Sequence, residues 1–362
     1  MTKAAELAKM GEVLTNSQIG GRRNIIINGA MKIDQRNNGS SVNLANAKVY
    51  AVDRFFWIES SSETPTGQRV ADAPVGFTHS NKITNTSTTT TPTYTQLNCP
   101  VEGNNITQLY FGNSSAKTVT LSFYVKSSLT GQFSAAIRNG DDNRSNVSTY
   151  TINSANTWER KIITFVGDTT GTWATDNTIG LSVIFRLDDT GGTSSLNQWT
   201  ASGNAFASGS VRFMGNASAT WQITGIQLEE GSQATPFEHR SLGEELALCQ
   251  RYYQILPKYT FMVAVEVGTT SVRGGLTLPT NMRANPTIGS HNLTRYDDDD
   301  NTFSNKTPVV FSNSGSDNQS DPEVGGQSGQ LSLAYNSIMS GGTDNHNVTT
   351  LFGTQASLDA EL

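Results

Sequence analysis

Apolar and polar positions alternate with a period of two along much of the chain. Val119, Leu121, Phe123 and Val125 alternate with Thr118, Thr120, Ser122 and Tyr124, which puts four apolar side chains on one face of a strand. Ile179, Leu181, Val183, Phe185 and Leu187 repeat the arrangement, and shorter alternations pass through Phe133, Ala135 and Ile137, through Ile163 and Phe165, and through Trp221 and Ile223. Between them stand Asn139-Gly140-Asp141-Asp142, Asp168-Thr169-Thr170-Gly171 and Asp188-Asp189-Thr190-Gly191-Gly192, all turn-forming compositions. Half-buried strands joined by polar turns predict an antiparallel sandwich.

Two segments depart from this period. Ala4, Leu7, Ala8 and Leu14 fall near one helical face, with Gly11 among them and a Gly/Asn-rich break after. Isolated helices shorter than ~12 residues are marginal in water, so this is either a short helix that needs a partner or a frayed tail. The second departure begins with Ser241-Leu242-Gly243-Glu244, a capping box in which hydroxyl and carboxylate satisfy orphaned backbone donors. Leu242, Leu246, Cys249 and Tyr253 follow at helical spacing, and Pro257 is expected to stop the helix. Further strands are expected over Tyr259–Val267, in Gly268–Leu278, and over Gln330–Ile338 and Val348–Leu351.

The chain is therefore expected to be all-β, in four parts: an N-terminal docking segment (1–24), a β-sandwich domain (25–238), a connecting helix (239–257) and a second, smaller β-sandwich domain (258–362). Leu7, Leu14, Leu246 and Tyr253 are the expected oligomer or docking contacts. Gly225, inside a strand pattern, predicts a bulge or a close backbone approach.

Charged residues make up only 15% of the 362, against roughly 25% in an ordinary globular protein. Ser, Thr, Asn and Gly take their place, a bias toward strands and turns. A formal net charge of −6 gives phosphate-driven nucleic-acid binding little support. Cys99 and Cys249 stand too far apart in sequence to suggest a disulfide framework or metal cluster, and are expected to be free thiols. Met1–Leu14 lacks the apolar core of a signal peptide. No stretch approaches the roughly 18 apolar residues of a membrane span, so no membrane insertion is expected.

Catalytic chemistry finds little footing. His79, His239, His291 and His346 form no metal-spaced pair and flank no nucleophile motif. No metal, no cofactor and no enzymatic activity is expected. Asp297–Asp300 lacks the alternation of a calcium loop and reads as an acidic turn. Sugar binding, by contrast, uses an aromatic face against a pyranose with nearby polar groups. Trp173 and Trp199 sit in polar, loop-like sequence and are the best candidates, with Tyr150 third and Asp188, Asp189 and Asn197 as polar partners if their loops meet the rings. The alternative is that each tryptophan plugs a core or an interface.

Several motifs resemble those of one family. Asn24-Ile25-Ile26-Ile27-Asn28-Gly29, followed by Gln35-Arg36 and Val52-Asp53-Arg54-Phe55, resembles the start of a jelly-roll, carbohydrate-binding-module-like domain of bacteriophage tail fibre and appendage proteins. Gly225-Ile226-Gln227-Leu228-Glu229-Glu230-Gly231, Ala234-Thr235-Pro236-Phe237-Glu238-His239-Arg240 and the run from Glu245 to Tyr253 are similar to its end and to the helix that follows. The resemblance implies a jelly-roll fold and a homotrimeric virion protein, made in the host cytoplasm and exposed on the particle. It would dock to other tail or virion proteins through its N-terminal segment and bind a host-surface glycan without cleaving it. A purely architectural fibre, collar, adaptor or capsid-attached protein is the alternative, and a polysaccharide depolymerase the less supported one.

Overall fold

The computed structural model describes residues 3, 23–45, 48–60, 64–87, 94–189, 191–257, 261–267, 271–284, 286–288, 293–297, 302–304, 330–336, 347–352 and 356–362. Leu7, Leu14 and most of the Asp297–Asp300 run lie outside the described residues. Two compact units are present, Met1–Glu245 with Leu362, and Leu246–Glu361.

In the first unit the strands are β1 (Val42–Asn43), β2 (Lys48–Val52), β3 (Phe55–Glu59), β4 (Thr66–Val70), β5 (Ser80–Thr84), β6 (Thr95–Glu102), β7 (Val119–Ser127), β8 (Gly131–Asn139), β9 (Ser145–Ile152), β10 (Glu159–Phe165), β11 (Ile179–Asp188), β12 (Trp199–Thr200) and β13 (Thr220–Glu230). They form a six-stranded sheet in the order β1-β4-β5-β13-β7-β10 and a seven-stranded sheet in the order β12-β9-β8-β11-β6-β3-β2. Neighbours run antiparallel throughout the two sheets, as in β7 with β13 and β6 with β11, and the unit is a jelly-roll β-sandwich.

The alternation seen in sequence decides which side chains enter the core. Val119, Leu121, Phe123 and Val125 of β7 face Leu181, Val183, Phe185 and Leu187 of β11, all fully buried. Each such burial contributes about 1.5–3 kcal/mol. Trp57 and Trp221 meet edge to face at 6.0 Å, and their indole N–H groups donate to Asn81 Oδ1 and to the Tyr150 hydroxyl. Two large rings are thereby buried without orphaning a donor.

Gly225 supplies both features expected of it. The pairing of β13 with β7 slips between Thr224 and Gln227, and Gly225 has φ +63 with the Phe77 ring so close that a Cβ would lie 2.7 Å from Phe77 Cζ. Only glycine fits that bulge without strain.

The segment 23–29 is joined to the end of the sandwich by polar contacts. Ile25 donates to the Leu228 carbonyl and Ile226 to that of Gly29. Glu238 accepts the backbone N–H groups of Arg23 and Asn24, while Arg240 donates to the carbonyls of Asn24 and Ile26. Glu245 accepts the Asn28 N–H at 2.5 Å and pairs with Arg240 at 3.4 Å.

The helix is shorter than the sequence suggests: α1 spans Leu242–Gln250 and not 239–257. Ser241 caps it, its hydroxyl accepting the Glu244 N–H at 3.2 Å. Pro257 does not end it, because Tyr253–Leu256 leaves the helix to form β14 and pairs with Ala356–Asp359, ladder bonds that outweigh the periodicity of a residual turn. Leu242 is accordingly 61% exposed, whereas Tyr253 is buried in the strand and presents no docking ring; Leu246 is half-buried.

The second unit continues with β15 (Phe261–Val267), β16 (Ser271–Thr277), β17 (Thr287–Ile288), β18 (Leu293–Asp297), β19 (Thr302–Ser304), β20 (Gln330–Asn336), β21 (Asn347–Phe352) and β22 (Ala356–Asp359). They make a three-stranded sheet, β14-β22-β17, and a six-stranded one, β19-β18-β21-β15-β16-β20. Cys99 and Cys249 are both buried. No helix among the described residues is long and apolar enough to cross a membrane.

Candidate functional site

Trp173 and Trp199, 26 residues apart in sequence, come together at one end of the sandwich. Their rings meet edge to face at 5.3 Å, and Phe111 closes the cluster at 4.8 Å from Trp173 and 5.7 Å from Trp199. The loops after Leu109 and Phe165 bring in Phe111 and Trp173, and β12, paired with the start of β9, brings Trp199 opposite Asn146. Trp173 is buried, while Trp199 and Phe111 are half-exposed, beside Tyr110 at 53% and Val166 at 68% exposure.

A carboxylate pins this end together. Asp168 receives both Nε and Nη2 of Arg144 at 2.7 Å, a forked, charge-assisted pair. It also accepts the indole N–H of Trp173 at 3.3 Å and the N–H of Thr170 at 3.2 Å. Burial works against its charge, but the Arg144 bonds and the neighbouring donors outweigh it and hold the carboxyl below the usual Asp range. Arg144 is in turn held above its ordinary value, chiefly by bonding to Asp168. The β8–β9 turn completes the scaffold, Asn139 accepting the N–H groups of Asn143 and Arg144 and donating to the Thr172 carbonyl. The Trp199 indole N–H donates to the Val166 carbonyl at 2.7 Å.

The other residues proposed from sequence fall elsewhere, with one exception. Tyr150 is a core side chain: it is 5% exposed and packed against Phe123 and Phe133, and its hydroxyl accepts from Trp221. Burial pushes its phenol well above the ordinary range. Asp188 is fully buried and pairs with Arg212 at 3.1 Å, though burial leaves its carboxyl raised. Asp189 pairs with Arg186. Both acids sit at the far end of β11, about 23 Å by strand rise from Leu181, which faces Asn139 beside the tryptophans. They are not partners of the rings. Asn197 does lie near Trp199, exposed in a left-handed conformation (φ 58) with its N–H on the Val147 carbonyl. Arg144, Asp168 and Phe111 were the residues not singled out in sequence; the Asp168-Thr169-Thr170-Gly171 and Asn139-Gly140-Asp141-Asp142 turns that carry or adjoin them were the available signal.

No group of three or more metal-ligating side chains occurs among the described residues. The arrangement offers half-exposed aromatic surface held rigidly by a locked ion pair. A carboxylate forked by a guanidinium has no proton to give and few lone pairs to spare, which suits positioning rather than general acid catalysis.

No protein-family model matches the chain, and no curated protein is similar to it in sequence. Among solved structures it is similar to the enzymatically active domain of tailspike protein 4 of bacteriophage CBA120, at 12% identity and a TM-score of 0.34 over 58% of this chain; the match spans 22% of that one. It is also similar to the family 11 carbohydrate-binding module of a cellulosomal cellulase of Clostridium thermocellum, at 14% identity and 0.28 over 55% of this chain and 100% of the module. The tandem CBM22 domains of a Paenibacillus barcinonensis protein give 9% identity and 0.25 over 90% and 98%.

Proposed function

We propose that the chain is a structural protein of a bacteriophage virion, part of a tail fibre or other appendage, that binds host-surface glycans without cleaving them. The observation that carries the binding reading is the convergence of Trp173, Trp199 and Phe111 at a loop-built end of the sandwich, with Trp199 half-exposed. Aromatic surface held in one geometry loses little entropy on meeting a pyranose. The virion assignment is supported by the family motifs at both ends of the first unit. Homotrimerisation and docking through residues 1–24 belong to the same proposal; three weak sites on one particle would act at high effective concentration.

Trp199→Ala tests it on a glycan array, with the protein displayed singly and on a multivalent bead. Wild type is expected to bind the array as beads and weakly or not at all as single copies, and the variant to lose bead binding by about tenfold or more. Silence of wild type in both forms would remove the proposal. One observation favours a purely architectural protein instead: both indole N–H groups of the cluster are satisfied internally. Under that reading Trp199→Ala particles adsorb to the host as wild type does.

A further inference from the structure

The outer face of the six-stranded sheet, away from the core, carries a band of half-exposed rings. Trp158 donates its indole N–H to Asp72 Oδ1 at 3.3 Å. Asp72 also accepts from Lys126, whose ammonium lies 5.3 Å from the Trp158 ring centroid. Burial opposes the Asp72 charge, but bonds from Lys126 and Trp158 outweigh it and keep the carboxyl below its ordinary range. Beside this group Tyr124 packs on Phe77 at 5.3 Å, and Phe77 rests over Gly225 and against Phe237. Tyr124 is carried by β7 and Trp158 immediately precedes β10, while Phe77 and Phe237 come from loops packed on the sheet.

Cations accompany them. The cross-strand register places Lys82 opposite Gln222 and Gln222 opposite Lys126, so the two lysines flank one amide about 10 Å apart across two strand spacings. Arg160, exposed on the edge strand, stands opposite Tyr124. The Lys82 ammonium makes no hydrogen bond or ion pair among the described residues. Lys82, Lys126 and Arg160 thus share this sheet, Lys126 bonded to Asp72 and Arg160 to the Thr235 carbonyl, on a protein whose formal net charge is −6. His239 and His79 are pushed below their ordinary values by burial first, then by Lys32 and Arg69.

We propose that this face is a saccharide site for an acidic sugar, with Trp158 and Tyr124 contacting the ring and Lys82 and Lys126 meeting its carboxylate. A neutral sugar would use the rings and leave the half-buried Lys82 without a counter-charge; a uronate uses both. The site lies on the sheet opposite the one that carries β12 and shares no residue with the Trp199 cluster, so it stands or falls independently of the reading given above.

The test is titration of the full chain with tetragalacturonate and with maltotetraose, at low and at high salt. Saturable binding of the uronate is expected, weakened by salt and not matched by the neutral sugar. Lys82→Glu and Trp158→Ala, both at positions outside the core, should each reduce uronate affinity by about tenfold, while Trp199→Ala leaves it unchanged. The proposal is overturned by absence of uronate binding, by equal binding of maltotetraose, or by wild-type affinity in Lys82→Glu. Loss in Trp199→Ala with Lys82→Glu unaffected would move uronate binding to the other end of the molecule and likewise remove it.

Discussion

The pairing of Arg144 with Asp168 shows how much one residue can determine at the loop-built end. It holds Thr170, positions Trp173 and spans two loops. Charge-assisted bonds of this kind contribute about 2 kcal/mol, so Arg144→Met should lower unfolding free energy by about that much at neutral pH, measured by urea denaturation. The pH dependence has a definite sign. Asp168 is depressed in the folded protein, so its contribution is full above about pH 4, the ordinary Asp range. It is lost as pH falls through the lowered value, and the gap between wild type and variant should close there. A gap that persists unchanged at acid pH would mean the carboxylate is not its source. The tryptophans were legible because they interrupt the alternation. Their supports were not, because Arg144 and Asp168 meet through strand pairing that sequence spacing does not encode. Tyr150 was legible in principle: it is two residues from Ile152, on the inward phase of β9.

At the scale of elements, period two gave the strands and their inward faces, as β7 and β11 demonstrate. It failed at α1, where a helical repeat running to Tyr253 was cut short by the pairing of β14 with β22. Local periodicity cannot report a partner a hundred residues away. The same holds for the contacts of Arg240 and Glu245 with the 23–29 segment, which turn motifs familiar from sequence into a buried clasp. Removing one member of a buried, hydrogen-bonded ion pair typically costs about 3–5 kcal/mol. Glu245→Ala should cost less, about 1–3 kcal/mol, since it orphans the buried Asn28 N–H while Arg240 keeps its pair with Glu238 and its two carbonyls. A loss no larger than that of an exposed control such as Glu244→Ala would show that the clasp carries no stability.

For the whole molecule, the two-sheet architecture of the first unit was readable from turn spacing, whereas assembly was not, because symmetry leaves no periodic mark on a single chain. The proposed trimer predicts a solution mass near three times 38.9 kDa by light scattering; a monomer at all concentrations would restrict assembly to the particle. The clasp between the first and last segments of the sandwich unit has a mechanical corollary. If an anchored chain were tugged from either side of this unit, the load would reach Asn24, Arg240 and Glu238 before any core strand. These side chains would strain in concert, and the rings and aliphatics between the two sheets behind them would be spared until they let go.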